Sequence, residues 1–310
     1  MLSRRNIRIK IVQTLYAGLL NQEPIEKIRK NYLNSIYKSL EELAYTLRII
    51  QKILLYTIKD ADNRKQKMLP SEHDKNFKLH LANSKISQQL LNNDLLNKKI
   101  KLYHIDTKID LDLIKKLYLE FSKSEEYINY SSLETTTGEE DTDILLKLFK
   151  VVTKNLFFCE STDDIYPSWE DDESLVLGAV KKVIKQLKDD DEFFEQFLPD
   201  EEATLEFGEV LLLETIKNED ALKEVINPLL ENWDMERVAN IDLIMIKMAV
   251  TEFLKFDSIP TKVTLNEYVE ISKIYSTEKS KEFINGLLDK LVRQFQLENK
   301  MHKSGRGLQN

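Results

Sequence analysis

Glycine and proline are scarce in this chain: seven and six among 310 residues, far below average usage. No glycine occurs between Gly18 and Gly138. A β-rich fold needs tight turns at short intervals, and these residues supply them. Their shortage excludes a turn-rich β fold and predicts an all-α protein of long helices and few polar loops. A single cysteine, Cys159, excludes an internal disulfide and fits a reducing compartment. Its neighbours Leu156, Phe157 and Phe158 predict a small buried apolar side chain rather than a nucleophile. No apolar run approaches the ~18 residues needed to cross a bilayer. Asn6, Arg8, Lys10 and Gln13 interrupt any N-terminal apolar stretch, so no signal peptide is predicted and a cytoplasmic location is expected.

The parts of an enzyme are also missing. His73, His80, His104 and His302 are scattered, without cysteine or carboxylate at ligand spacing, so neither a metal nor another cofactor is expected. There is no phosphate-binding G-x-x-x-x-G-K-S/T loop and no G-x-S-x-G nucleophile elbow. The one Gly-x-Gly, Gly305-Arg306-Gly307, lies near the C-terminus with no strand before it. The acidic runs Glu139-Glu140-Asp141 and Asp189-Asp190-Asp191-Glu192 read as solvated faces or helix N-terminal acids rather than a cation site.

Apolar residues make up 42% of the chain, enough for a substantial core, and charged residues 32%, which suits helices with solvated faces. The net charge of −8 argues against a protein that coats nucleic acid with its whole surface, while leaving room for a local basic patch. Ile7, Ile11 and Leu15, widened by Val12, Tyr16 and Leu19, predict a first helix over residues 4–20, with Asn6, Lys10 and Gln13 on its opposite face. A long helix is predicted over 24–68, a loop over 69–80, and helices near 83–101, 108–123, 143–158 and 174–188. The polar stretches 133–143 and 160–173 read as linkers. Beyond Pro199, helices are predicted over 202–217, 219–231, 236–255, 262–275 and 278–297, and 299–310 as a frayed tail.

Two segments carry more than periodicity. Arg4, Arg5, Arg8 and Lys10 precede any acid in the chain, and arginines at a helix start can grip phosphates and stack on unpaired bases. The plainer reading is a cationic helix end. The second segment is the C-terminal run 232–296. It contains a helix with Asp242 and Glu252, then Ile259-Pro260-Thr261-Lys262-Val263. Leu265-Asn266-Glu267-Tyr268-Val269-Glu270-Ile271-Ser272-Lys273 follows, and then Glu282-Phe283-Ile284-Asn285-Gly286-Leu287-Leu288-Asp289-Lys290.

This run resembles the C-terminal half of the NusB family of bacterial transcription antitermination factors. Arg4-Arg5, Arg8, Val12-Gln13 and Leu15-Tyr16 resemble the arginine-rich start of that family's first helix. The resemblance implies an all-α, NusB-like helical bundle of two helical subdomains, its N-terminal half enlarged by extra helices. The division it suggests is a first helix over 1–22, an insertion over 23–199, a NusB-like core over 200–298 and a tail over 299–310.

The resemblance also implies an activity. It is non-catalytic binding of boxA-type single-stranded RNA with the ribosomal protein NusE, within an antitermination complex on RNA polymerase, during ribosomal RNA transcription. Carried over by position, Arg4, Arg5, Arg8, Gln13 and Phe283 are the expected RNA contacts, with Phe283 offering a stacking surface. Glu282 stands where the family often has a basic residue, and Lys281 is expected to compensate. Tyr16 and Asp242 fall at partner-facing positions, as does Lys279, which replaces a usual acid. Other readings of the same matched residues are structural. Asn266 and Asn285 read as buried amides, Gly286 as a close helix approach, Glu252 as a core hydrogen-bonding group and Phe283 as core. NusB-like domains also occur fused to ribosomal-RNA methyltransferases, but no glycine-rich α/β segment is found in this sequence. A third possibility is a helical protein–protein scaffold with weakened RNA binding, which the acidic balance and Glu282 favour.

Overall fold

The computed structural model describes residues 2–187, 192–230, 238–301 and 303. The opening of the C-terminal run at 232–237, the acids at 189–191, His302 and Gly305-Arg306-Gly307 lie outside the described residues, as does most of the stretch expected to fray. Among the described residues every regular element is helical and there is no strand, which is the all-α fold that the glycine and proline counts imply. The chain divides into two compact units, one of residues 2–36 with 199–310 and one of 37–198.

The first unit is built around α14 (Asn240–Lys255). Ile244, Met245, Ile246, Met248, Ala249, Val250 and Phe253 are all buried. A helix apolar around most of its circumference must be enclosed, and here α1 (Arg4–Leu20), α12 (Val210–Lys217), α13 (Glu219–Leu230), α15 (Thr261–Tyr275) and α16 (Glu278–Leu297) enclose it. α1 is itself buried on several sides. Ile7, Ile11, Val12 and Leu15 enter the core, but so do Arg8, Lys10 and Thr14, so Lys10 is not on the solvent face that its spacing predicts. Residues Glu202–Glu209 form a π-helix leading into α12. A Cβ on its Gly208 would sit 1.9 Å from Tyr32 Oη and 2.6 Å from Ile7 Cγ2, so only glycine fits. Gly286 is different: a Cβ there would meet nothing within 4 Å, so the helix–helix approach read from the sequence is not its role.

The second unit is entered along α2 (Ile25–Lys65), the long helix predicted over 24–68. Its core gathers Leu43, Leu47, Ile50, Ile53 and Leu54 with aromatics such as Tyr118, Phe121, Tyr127, Phe158 and Trp169. Several predicted loops are helical. The 69–80 stretch holds α3 (Glu72–Asn76), opened by a Ser71 capping box, and α4 (His80–Asn83). The helix predicted near 83–101 is two, α5 (Lys85–Asn92) and α6 (Asp94–Leu102), divided at Asn93, whose side chain caps the second. α7 (Leu111–Phe121) is followed by an unpredicted α8 (Glu125–Tyr130). α9 (Gly138–Lys154) begins inside the supposed linker 133–143, where Thr137 and Glu140 form a capping box. α10 (Leu156–Ile165) and α11 (Trp169–Gln186) fill most of 160–173. Glu139, Glu140 and Asp141 lie in the first turn of α9 and Glu170, Asp171 and Asp172 in that of α11, where the helix dipole favours them, whereas Asp163 and Asp164 lie at the far end of α10. Cys159 is only half-buried, and burial pushes its thiol up, away from nucleophilic reactivity.

Candidate nucleic-acid interface

Ser3 starts the site. Its hydroxyl accepts from Asn6 N while Asn6 Oδ1 accepts from Ser3 N, a reciprocal cap that begins α1 at Arg4. Arg4, Arg5 and Arg8 then occupy the first turn and a half, the positive end of the helix dipole, with no acid in the first turn. Local electrostatics disfavour them there, and each is balanced by a carboxylate far along the chain.

Arg4 Nη2 donates to Glu202 Oε1 at 2.8 Å, and its guanidinium carbon lies 5.4 Å from the centroid of Phe207, both from the π-helix. Arg5 pairs with Glu267 through two hydrogen bonds of 2.7 and 2.8 Å. The Arg5 hydrogen bonds hold the Glu267 carboxyl below its ordinary range. Arg8, only 2% exposed, donates to both oxygens of the fully buried Glu252 at 2.8 and 2.5 Å. Thr264 Oγ1 donates to Glu252 at 2.7 Å and Tyr268 Oη at 3.3 Å, so α1, α14 and α15 are tied through one carboxylate. Burial drives the Tyr268 hydroxyl far above the ordinary tyrosine range, keeping it a neutral donor.

The magnitudes separate these arginines. Solvent-exposed pairs contribute about 0–1 kcal/mol. Arg4 and Arg5 are half-exposed, so exchanging their carboxylates for phosphate costs little. Removing one partner of a buried pair costs about 3–5 kcal/mol, so Arg8 stays with Glu252. The structure therefore places Arg8 in the scaffold beneath the surface, although the resemblance makes it an RNA contact. Phe283 shows a similar difference: it is 6% exposed and packed in the core of this unit, without the open ring face that base stacking requires.

The other expected RNA contacts, Gln13 and Lys281, reach the surface. Gln13 Nε2 donates to Tyr275 Oη at 2.9 Å. Arg5 to Gln13 and Glu267 to Tyr275 are equal intervals, so α1 and α15 run side by side in the same direction. Glu270, one turn beyond Glu267, acts electrostatically on Arg5 and is itself influenced by Arg5 and Lys281. Between α1 and the α14–α15 connection lies a groove of ≈ 460 Å³, lined by Arg4, Arg5, Arg8, Ser258, Pro260 and Val263 among others. Asn266 and Asn285, read from the sequence as buried amides, are both exposed, with Lys262 and Val263 also at the surface. The period of a helix places residues on a face but does not say which face is covered.

At the other end of α1, Tyr16 is exposed beside exposed Leu19 and Leu20. Lys279 is exposed in the first turns of α16, opened by Thr277, whose hydroxyl accepts from Ser280 N. Asp242 is buried in the first turn of α14, and its Oδ1 has no hydrogen-bond partner among the described residues, so it is not displayed for an ion pair with a partner. Near this end is an apolar cavity of ≈ 260 Å³, lined by Leu15, Leu19, Ile25, Ile28, Ile216 and Ile244 among others. Sequence reasoning missed it because its walls come from five helices. It also missed Glu202 and Phe207, whose link to Arg4 crosses nearly two hundred positions. Among the described residues no group of three or more His, Cys, Asp or Glu could hold a metal ion, and no helix is long and apolar enough to cross a membrane.

Fold and site define a class: an all-helical protein with a groove edged by exchangeable arginines, set on a helix held by a buried ion pair. The NusB family model matches residues 171–293. A protein of Salinibacter ruber, named transcription antitermination protein NusB, is 39% identical over 111 residues, 36% of this chain and 69% of that protein. Proteins of the same name from Chloroherpeton thalassium and Natranaerobius thermophilus are 45% and 38% identical over 78 and 89 residues. Those stretches cover 25% and 29% of this chain, and 37% and 64% of the relatives. No solved structure matches the chain. The chain belongs to the NusB family.

Proposed function

We propose that this protein is a transcription antitermination factor that binds boxA-type single-stranded RNA together with NusE, within an RNA polymerase complex that transcribes ribosomal RNA. The observation that carries the reading is the pair of half-exposed guanidiniums, Arg4 and Arg5, on the edge of the groove between α1 and the α14–α15 connection. Phosphates displace Glu202 and Glu267 from Arg4 and Arg5, while Gln13 and Lys281 extend the contact. Arg8 and Phe283 support this surface from beneath. Tyr16 and Lys279 face the protein partner, with the apolar cavity beside Leu19 receiving an apolar side chain, and Asp242 supporting α14 from inside.

Fluorescence anisotropy with a boxA-like RNA, with and without NusE, tests this reading. Saturable binding that NusE strengthens is the expected result; no binding at low salt in either case overturns it. R4A, R5A and K281A should each weaken RNA binding by about tenfold or less and flatten its salt dependence by about 0.7 in log–log slope per lost phosphate contact.

A second reading, a helical scaffold with weakened RNA binding, is favoured by one observation: each groove arginine already holds a carboxylate. Its outcome in the same experiment is capture of NusE without RNA.

A further inference from the structure

The unit of residues 37–198 carries a surface that the antitermination reading does not use. Along α2, Lys52, Leu55, Tyr56 and Lys59 are spaced i, i+3, i+4, i+7 and share one face. Along α7, Leu111, Lys115 and Leu119 are spaced i, i+4, i+8. The two rows border a groove of ≈ 440 Å³ in which Leu55, Tyr56, Leu111 and Ile114 meet Lys52, Lys59 and Lys115. Leu111 is 72% exposed and Leu55 is exposed as well; Leu119 on α7 and Leu156 and Phe157 on α10 are further exposed apolar residues outside the groove lining. Lys116 Nζ sits 4.0 Å from the Phe157 ring centroid. Isolated exposed leucines are ordinary, but exposed leucines gathered in one groove and edged by like charges mark an interaction surface.

The charges identify its occupant. Lys52 is neutralised by Asp106, but Lys59 and Lys115 have no carboxylate partner among the described residues. One acid, Asp112, lines the groove. The floor is aliphatic and offers a nucleobase no hydrogen bonds. Its one aromatic, Tyr56, is packed against Tyr118 at 5.0 Å between centroids and has Lys59 Nζ 5.8 Å from its ring. With Tyr118 against its ring and Lys59 over it, Tyr56 gives RNA no free stacking platform in the groove. A helix with leucine-like side chains on one face and carboxylates flanking them satisfies both the floor and the lysines. We propose that the α2–α7 groove docks an acidic amphipathic helix of a protein partner, its apolar side chains between Leu55 and Leu111 and its carboxylates on Lys59 and Lys115.

The test is anisotropy with the full chain and a panel of labelled amphipathic peptides bearing leucine on one face and glutamate elsewhere. Each peptide has a Leu→Ala counterpart of equal charge and a Glu→Lys counterpart of equal apolarity. Wild-type protein should bind the parent peptides with an affinity that falls as salt rises, and both counterparts about tenfold more weakly or not at all. L111D and the double variant K59E/K115E, all at exposed positions, should lose binding about tenfold while keeping the wild-type thermal transition. If a variant misfolds, the counterpart peptides still decide on unaltered protein. Failure of every parent peptide at low salt, equal binding of the Leu→Ala peptides, or equal binding to folded variants overturns the proposal. Loss of single-stranded RNA binding by K59E/K115E, with no peptide bound, overturns it in favour of a nucleic-acid surface.

Discussion

Three arginines within five positions do different work because of what lies around each. Arg8 and Glu252 form an enclosed pair with Thr264 and Tyr268, and neither charge has access to water. Arg8→Ala or Glu252→Ala should therefore cost about 3–5 kcal/mol in urea unfolding, because each strips a buried charge of its bidentate partner, with Glu267 at 3.9 Å the other carboxylate near Arg8. Arg5→Ala should change stability by about 1 kcal/mol or less, since its guanidinium is half-exposed, and should act on RNA affinity instead. The glycines divide in the same way. Gly208→Ala drives a methyl group into Tyr32 and Ile7 and should destabilise by about 1–3 kcal/mol. Gly286→Ala meets open space on a helix and should be neutral or stabilise by up to about 1 kcal/mol. Thermal melts of the two variants should separate in opposite directions. If the Gly208 variant melted like the wild type, the close packing of the π-helix against α2 would be wrong.

At the scale of the element, caps decided where helices begin more often than the apolar period did. The start of α9 was hidden because Gly138-Glu139-Glu140-Asp141 is polar and reads as linker, yet Thr137 and Glu140 cap each other's backbone. Thr137→Ala should cost about 1 kcal/mol, measured by denaturant unfolding, because the Glu140 amide loses its acceptor, the Thr137 hydroxyl. The same logic applies to Thr277, whose capping role at α16 is legible from position alone. The π-helix Glu202–Glu209 was not legible, since its wider turn breaks the i, i+4 pattern by which helical faces are recognised. That turn is also what places Glu202 and Phe207 against Arg4 and Gly208 against Tyr32.

At the scale of the molecule, the acidic balance gives a pH signature. Glu267, Glu214 and Glu219 are held below the ordinary glutamate value of 4.5 by hydrogen bonds from Arg5, Lys255 and Lys247 respectively. Carboxyls depressed in the folded state add stability that is complete above 4.5 and is lost as pH falls through their lowered values. Urea midpoints should thus stay level on this account from neutrality to about pH 5 and drop below 4.5. A level profile to pH 3 would show that these pairs do not act in concert.

The sequence by itself determined the helical class, through the scarcity of glycine and proline, and the family, through the ordered motif of the C-terminal run. Both are properties of residue order: turns need particular residues at particular places, and a motif is its own spacing. Tertiary structure alone decided which of the motif's residues are scaffold and which are surface. Arg8 and Phe283 went inside while Asn266 and Asn285 went outside. Burial depends on what packs over a residue, and here the covering groups come from helices separated by the whole intervening unit.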